Sequence, residues 1–364
     1  MPSRKVNTIL LGWMLTLVGA YWSIQLYQIT DSVNRVRREM TIKVSTFPEV
    51  LNTTTYTLPT EVTTPVPNRI LLEPWKITLG VCDEDNCIKS KNTSWRMVIF
   101  VKSSAPNFFR RELLRRTWAS LSYVNGGRFD TVFVVANTDV PRLKLLVQEE
   151  HSRYGDILHI DASDAYKDVV IKTLVGMKWA SSNLDDDVFY ASADDDFIIK
   201  MDLFAKNIND NLKQMSKEGW PEFPIICGFK RGANEGPVRK GKWFVSKEIY
   251  RWTSYPPYCH GGLYATSVRL VKQLYNESLL VPSISLDDVW ITGLLRRRLG
   301  MPDEMVVKPP AYFGLHQNGY AKSESKNIRG FLKDEWSKIY KQITTNDYCH
   351  CQFSMEKPTS HSRK

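Results

Sequence analysis

The sequence predicts an α/β domain, a mostly parallel central sheet flanked by helices, preceded by one transmembrane helix and a stem. Three observations predict it. Short Val-, Ile- and Phe-rich runs alternate with helical segments in the body, residues 6–30 carry no charge, and a Thr/Pro-rich stretch separates the two.

Residues 1–5 form a short tail containing Arg4 and Lys5. Residues 6–30 follow as a helix of about 38 Å at 1.5 Å per residue, enough to cross a hydrocarbon core of about 30 Å. A cleaved signal peptide is the competing reading, since Val18-Gly19-Ala20 fits a small-residue cleavage site; apolar residues continuing through Ile24, Leu26 and Ile29 favour an anchor. Flanking charge orients the span poorly, because Arg35, Arg37 and Arg38 follow it. The three sequons, Asn52, Asn92 and Asn276, and all six cysteines lie after the span, which favours a lumenal C-terminal body. Residues 31–75 hold seven threonines and four prolines between Pro48 and Pro67, a composition that buries no core and reads as an extended stem.

The body, residues 76–364, shows strand-like runs at 97–101, 131–136, 157–160 and 188–191. Helical segments at 110–118, 141–154 and 166–182 fall between them. Ligands of such sheets bind at the carboxyl ends of the strands. Composition narrows the partners: 49 Lys and Arg against 39 Asp and Glu give a formal charge of +10, which suits a phosphate-bearing ligand but is too dispersed to mark a nucleic-acid binder. No CxxC pair accompanies the six cysteines and six histidines, so disulfides are expected rather than a zinc site.

Two acidic triplets bracket the fourth strand. Asp185-Asp186-Asp187 precedes it and reads as a solvated turn. Asp194-Asp195-Asp196 follows it at the ligand-binding edge, where crowded carboxylates favour a hard cation such as Mg²⁺ or Mn²⁺. A surface loop is the alternative reading of that second triplet.

The order of residues around these triplets resembles the β-1,3-galactosyltransferase family of UDP-sugar-dependent transferases. The resemblance is carried by Arg110-Arg111 and Arg115-Arg116-Thr117-Trp118, by Tyr154-Gly155-Asp156, by Lys172 to Trp179, by Lys242-Trp243-Phe244-Val245-Ser246, by Tyr255 to Gly262, and by Asp287-Asp288-Val289-Trp290. Departures at Asp168-Val169-Val170, His260, Leu263 and Asp287 bear on which sugar is used more than on the reaction. The resemblance implies a GT-A fold, a Golgi type II membrane protein, and transfer of a sugar, galactose above N-acetylglucosamine, from a UDP-sugar to a glycolipid or glycoprotein glycan with inversion to a β-1,3 linkage. It implies Mn²⁺ as cofactor, with Asp194, Asp196 and His316 on the metal side and Asp194 and Asp195 near the donor, a scaffold-facing side chain being the alternative for Asp195. Asp288 is the implied general base, with Asp287 the close alternative; a pair of helix-capping aspartates is the plainer reading of both.

Arg111 and Arg115, four apart on one helical face, are expected either to meet the donor diphosphate or to hold the loop beneath it, with an ordinary exposed basic face as the alternative. Tyr255, Tyr258, Gly261 and Gly262 are expected to line the substrate site, with a rigid turn and buried tyrosines as the alternative. Arg296-Arg297-Arg298 reads as a helix C-terminus. A glycoside hydrolase would use two carboxylates without a metal-bound diphosphate, and a glycan-binding receptor would need neither acidic cluster.

Overall fold

A computed structural model describes residues 69–75, 93–165, 168–232, 234–310, 314–316 and 349–350, all within a unit running from Thr53 to Lys364. The central strand β2 is Trp95–Ser103. Its side chains alternate between two apolar clusters: Val98 and Phe100 face one, and Trp95, Met97, Ile99 and Val101 face the other. Burial on both faces is why it reads as a continuous apolar run.

β4 (Gly127–Ala136) and β6 (Phe189–Asp194) pair in parallel with the two edges of β2, and β5 (Ile157–Ile160) extends the parallel set beyond β4. β1 (Ile70–Leu72) closes that side antiparallel. Beyond β6 lie β11 (Leu263–Ser267), β8 (Ile225–Cys227) and β12 (Val306–Val307), giving the order β1-β5-β4-β2-β6-β11-β8-β12. β11 is antiparallel to both neighbours, a reversal the strand–helix alternation does not predict. It matters because β11 begins where β6 ends, so the residues before it arrive at the acidic strand end.

Helices α3 (Val169–Asn183) and α5 (Val268–Ser278) cover one face, and α1 (Phe108–Arg115), α2 (Pro141–Tyr154) and α4 (Met201–Glu218) supply residues to the other. The strand expected at 157–160 and the helix expected at 141–154 have those bounds. The helix expected over 110–118 instead starts at Phe108 and stops at Arg115: the Thr117 hydroxyl donates to the carbonyls of Leu113 and Leu114, and Trp118 opens a separate 3₁₀ turn. α2 stops at Gly155, whose φ of 68° is left-handed; a Cβ there would lie 2.3 Å from the Trp75 ring.

Residues 6–30 and most of the stem, with Asn52 and Asn92, lie outside the described residues; among those described, no helix is long and apolar enough to cross a membrane. Asn276 is exposed near the end of α5. Cys227 and Cys259 form a disulfide that ties β8 to β10 (Tyr258–Cys259). The first acidic triplet is exposed, with Asp186 paired to Lys272 at 2.6 Å. The arginine run is scaffold: buried Arg296 donates to the Met301 carbonyl and to Asp303, and Arg297 also meets Asp303.

Arg111 and Arg115 are buried, so of the readings offered for them the structure has the loop-holding one and not the donor contact. Arg111 donates twice to Glu150 and also to Ser103 and the carbonyls of Ser104 and Ala105; Arg115 spans Glu150 and Asp156. They hold the loop after β2 onto α2. Breaking such a buried network leaves uncompensated charge, so Glu150→Gln is expected to lower unfolding stability by about 3–5 kcal/mol in urea denaturation. The same change at exposed Glu149 should move it by less than about 0.5 kcal/mol.

Candidate active site

The carboxyl end of β2 ends in a lysine. Lys102 is almost fully buried, and its ammonium lies 2.9 Å from Asp287 Oδ2, 3.2 Å from Asp194 Oδ1 and 3.5 Å from the Gly261 carbonyl oxygen. Burial alone would lower its pKa, but Asp194 and Asp287 more than offset that and hold it well above the usual lysine value. The Asp287 carboxylate also accepts from the Thr173 hydroxyl of α3. Burial pushes its pKa up, yet Lys102 and Thr173 prevail, and Asp287 is held ionised below the usual range. Asp287 is thus the buried counter-ion of the cluster.

Asp288 is different. Its Oδ2 accepts from the Gly261 N–H at 2.9 Å and its Oδ1 from the Val289 N–H at 2.8 Å, and it is half-buried at the start of the π-helical Val289–Leu295. Withdrawal from water, then repulsion from Asp287, raises its pKa to about 7. Two adjacent carboxylates are therefore pushed apart in acidity by their surroundings, the arrangement that gives one of them proton-transfer capability near neutral pH.

Asp194 ends β6, and its N–H donates to the Gly262 carbonyl at 3.2 Å. Its pKa is raised, first by burial and then by Asp287 and Asp196, against the pull of Lys102. Asp196, two residues on, is partly exposed. Gly261 and Gly262 are the hinge of the constellation: one peptide N–H holds Asp288, one carbonyl takes the Asp194 N–H, and another faces Lys102. A Cβ on Gly261 would sit 3.4 Å from Asp288 Oδ2, so a side chain there would crowd the carboxylate. The Cys227–Cys259 disulfide anchors the strand leading into this turn.

At three positions packing favours the structural alternative over the ligand-facing one. Asp195 turns inward and accepts from Ser103, Asn107 and Arg110 at 2.8 Å each, so it braces the loop after β2 instead of facing a donor. Tyr255 is buried against Tyr250 and Tyr258. Tyr258 is buried as well, its hydroxyl donating to Glu235 at 3.1 Å, so neither ring offers a face to a sugar. The His316 backbone, in β13 (Gly314–His316), pairs opposite Phe197 of β7 (Phe197–Ile199), the residue after Asp196. Among the described residues, no three Asp, Glu, His or Cys side chains converge to hold a cation unaided.

Sequence reasoning missed Lys102 and Thr173. The signal for Lys102 was a charge directly after the apolar run of residues 97–101; Thr173 sat in a helix with no polar periodicity to mark it.

The glycine turn brings the acidic strand end together with carboxylates of unlike acidity, and similarity to known proteins gives the chain a class: the protein is a hexosyltransferase. The family described as galactosyltransferase matches residues 109–306, more than half of the chain. β-1,3-Galactosyltransferase 5 of Homo sapiens is 32% identical over 250 residues, covering 66% of this chain and 77% of that one. β-1,3-Galactosyltransferase brn of Drosophila melanogaster is 30% identical over 223 residues, covering 60% and 66%. β-1,3-Galactosyltransferase 1 of Mus musculus is 28% identical over 207 residues, covering 56% and 61%. The chain belongs to the β-1,3-galactosyltransferase family.

The raised pKa of Asp288 has a stability consequence. Its contribution is fully present below the unfolded value near 4 and is lost as pH rises through about 7. Lowering pH from 8 to 6 should therefore stabilise the protein by on the order of 1 kcal/mol through this group. Asp288→Asn should flatten that slope in denaturant titrations at the two pH values.

Proposed function

We propose that the chain is an inverting β-1,3-galactosyltransferase of the GT-A fold that uses UDP-galactose, Mn²⁺ and a glycolipid or glycoprotein glycan acceptor. The observation that carries the reading is the Gly261–Gly262 turn, which sets the Asp288 carboxylate beside the Asp194 strand end. The names of the relatives favour galactose and the β-1,3 linkage.

Asp194 and Asp196 would hold the cation. The fit rests on the donor set: Mn²⁺ and Mg²⁺ bind through one or two carboxylates and fill the rest of their shell with phosphate oxygens and water. His316, opposite Phe197 in register, is the further candidate. When bound, the cation neutralises charge on the departing nucleoside diphosphate. Asp288 takes the proton of the acceptor hydroxyl as that oxygen bonds to the anomeric carbon and the bond to the diphosphate breaks, which inverts the α-linked donor to a β-linked product. Asp287 stays ionised on Lys102, so its charge keeps Asp288 basic enough for the task. Lys102 prevents the cluster from flying apart before donor and cation arrive.

We also propose that residues 6–30 anchor the protein as a single-pass type II span in the Golgi membrane with the body in the lumen. The sequons and the Cys227–Cys259 disulfide support that side, since disulfides persist in oxidising compartments. Full protection of the body from protease in sealed microsomes is the expected result, and digestion without detergent would place it on the other side.

The full-length enzyme in detergent should release UDP from UDP-galactose faster than from other UDP-sugars, and EDTA should stop it until Mn²⁺ is restored. Asp288→Asn should cut turnover by about 10²–10⁴-fold while UDP binding in the presence of Mn²⁺ persists. Because the base must be ionised, the wild-type rate should fall as pH drops below about 7. Retained turnover in Asp288→Asn would move the role to another group.

A further inference from the structure

The segment between β9 (Lys230–Arg231) and β10 carries the Lys242-to-Ser246 block of the sequence resemblance. It is a built loop. The Arg239 guanidinium donates to the carbonyls of Val245, Tyr250 and Trp252 at 2.7, 2.8 and 3.1 Å, and Val245 and Tyr250 are buried beneath it. What this knot displays is unusual for water. Trp243, Phe244 and Ile249 are each more than half exposed, and Val238 and Trp252 only slightly less. An apolar display of this kind marks an interaction surface.

Four cations, Lys240, Lys242, Lys247 and Arg251, are exposed among these residues, against one acidic side chain, Glu248. Two lie beside the aromatic rings: the Lys242 ammonium 5.8 Å from the Trp243 ring centre, the Arg251 guanidinium 5.0 Å from that of Trp252. A second copy of the chain would set this positive face against an identical one, and like charges in contact disfavour that pairing. Tryptophans with interleaved Lys and Arg are instead the composition that settles at the headgroup level of a bilayer, the rings at the interface and the cations against acidic lipid.

We infer that residues 238–252 form a docking surface for an anionic lipid bilayer. The loop is tied to the strand that leads into the glycine turn through packed rings, Trp252 to Tyr250 at 5.1 Å, Tyr250 to Tyr255 at 4.9 Å and Tyr255 to Tyr258 at 6.0 Å, so a docked loop is held rigidly to the body. The inference is independent of the chemistry at Asp288: its failure would leave glycosyl transfer untouched.

The test follows backbone hydrogen exchange of residues 238–252 in the full-length chain with phosphatidylcholine–phosphatidylserine nanodiscs. The comparison arms are phosphatidylcholine nanodiscs, inorganic phosphate, and no addition. Docking slows exchange of these amides by about tenfold or more with acidic nanodiscs only, and raised salt reverses it. Lys242→Ser and Lys247→Ser should each weaken that protection about fivefold, and Trp243→Ser combined with Phe244→Ser should abolish it. Equal exchange in every arm overturns the inference, and the wild-type comparison alone decides this if a variant misfolds. Protection by inorganic phosphate, or protection that grows with protein concentration without lipid, overturns it too and assigns the face to an anion or to a second copy.

Discussion

One buried ammonium organises this molecule. Lys102 stands at the end of the central strand with carboxylates from two other parts of the chain against it. Remove its charge in thought and Asp194 and Asp287 are like charges in a partly dry pocket, each driving the other to take up a proton. With it, Asp287 remains an anion, and that anion adds to burial in making its neighbour Asp288 reluctant to ionise. The acid–base character of Asp288 is therefore set by its own withdrawal from water together with the charge beside it.

The loop after β2 shows the same economy of means. Asp195 draws in Ser103, Asn107 and Arg110, while Arg111 grips the Ser104 and Ala105 carbonyls and Lys172 donates to the Ser103 carbonyl at 2.8 Å. Asp195, Arg110 and Arg111 are thus spent on geometry. The middle aspartate of the triplet faces the scaffold, at the turn that follows β6.

Much of the fold was legible because its strands are buried on both faces and so stand out as apolar runs bounded by turns. β5 and α2 were readable to the residue, helped by the clean stop at Gly155. β11 was not, since Leu-Tyr-Ala-Thr-Ser has the composition of a strand but nothing that records its direction. At the site, the two aspartate clusters could be picked out by type and order. Tyr255, Tyr258, Arg111 and Arg115 could not be placed, because a polar or aromatic residue near a motif reads alike whether it faces a ligand or fills the core; only packing separates the two. Lys102 was hidden for the opposite reason, as one charge inside an apolar run that offered no motif.

The contact between Lys102 and Asp287 joins positions 185 apart in sequence, and Gly261 must reach both Lys102 and Asp288. Contacts over such separations lose the entropy of the long intervening loop before they reward it, which slows folding. A growing chain on the ribosome, or any fragment cut short of position 287, carries the residues of the central strand and the acidic strand end but lacks the two carboxylates that complete the pocket. The site is thus a property of nearly the whole body, assembled from both ends of it.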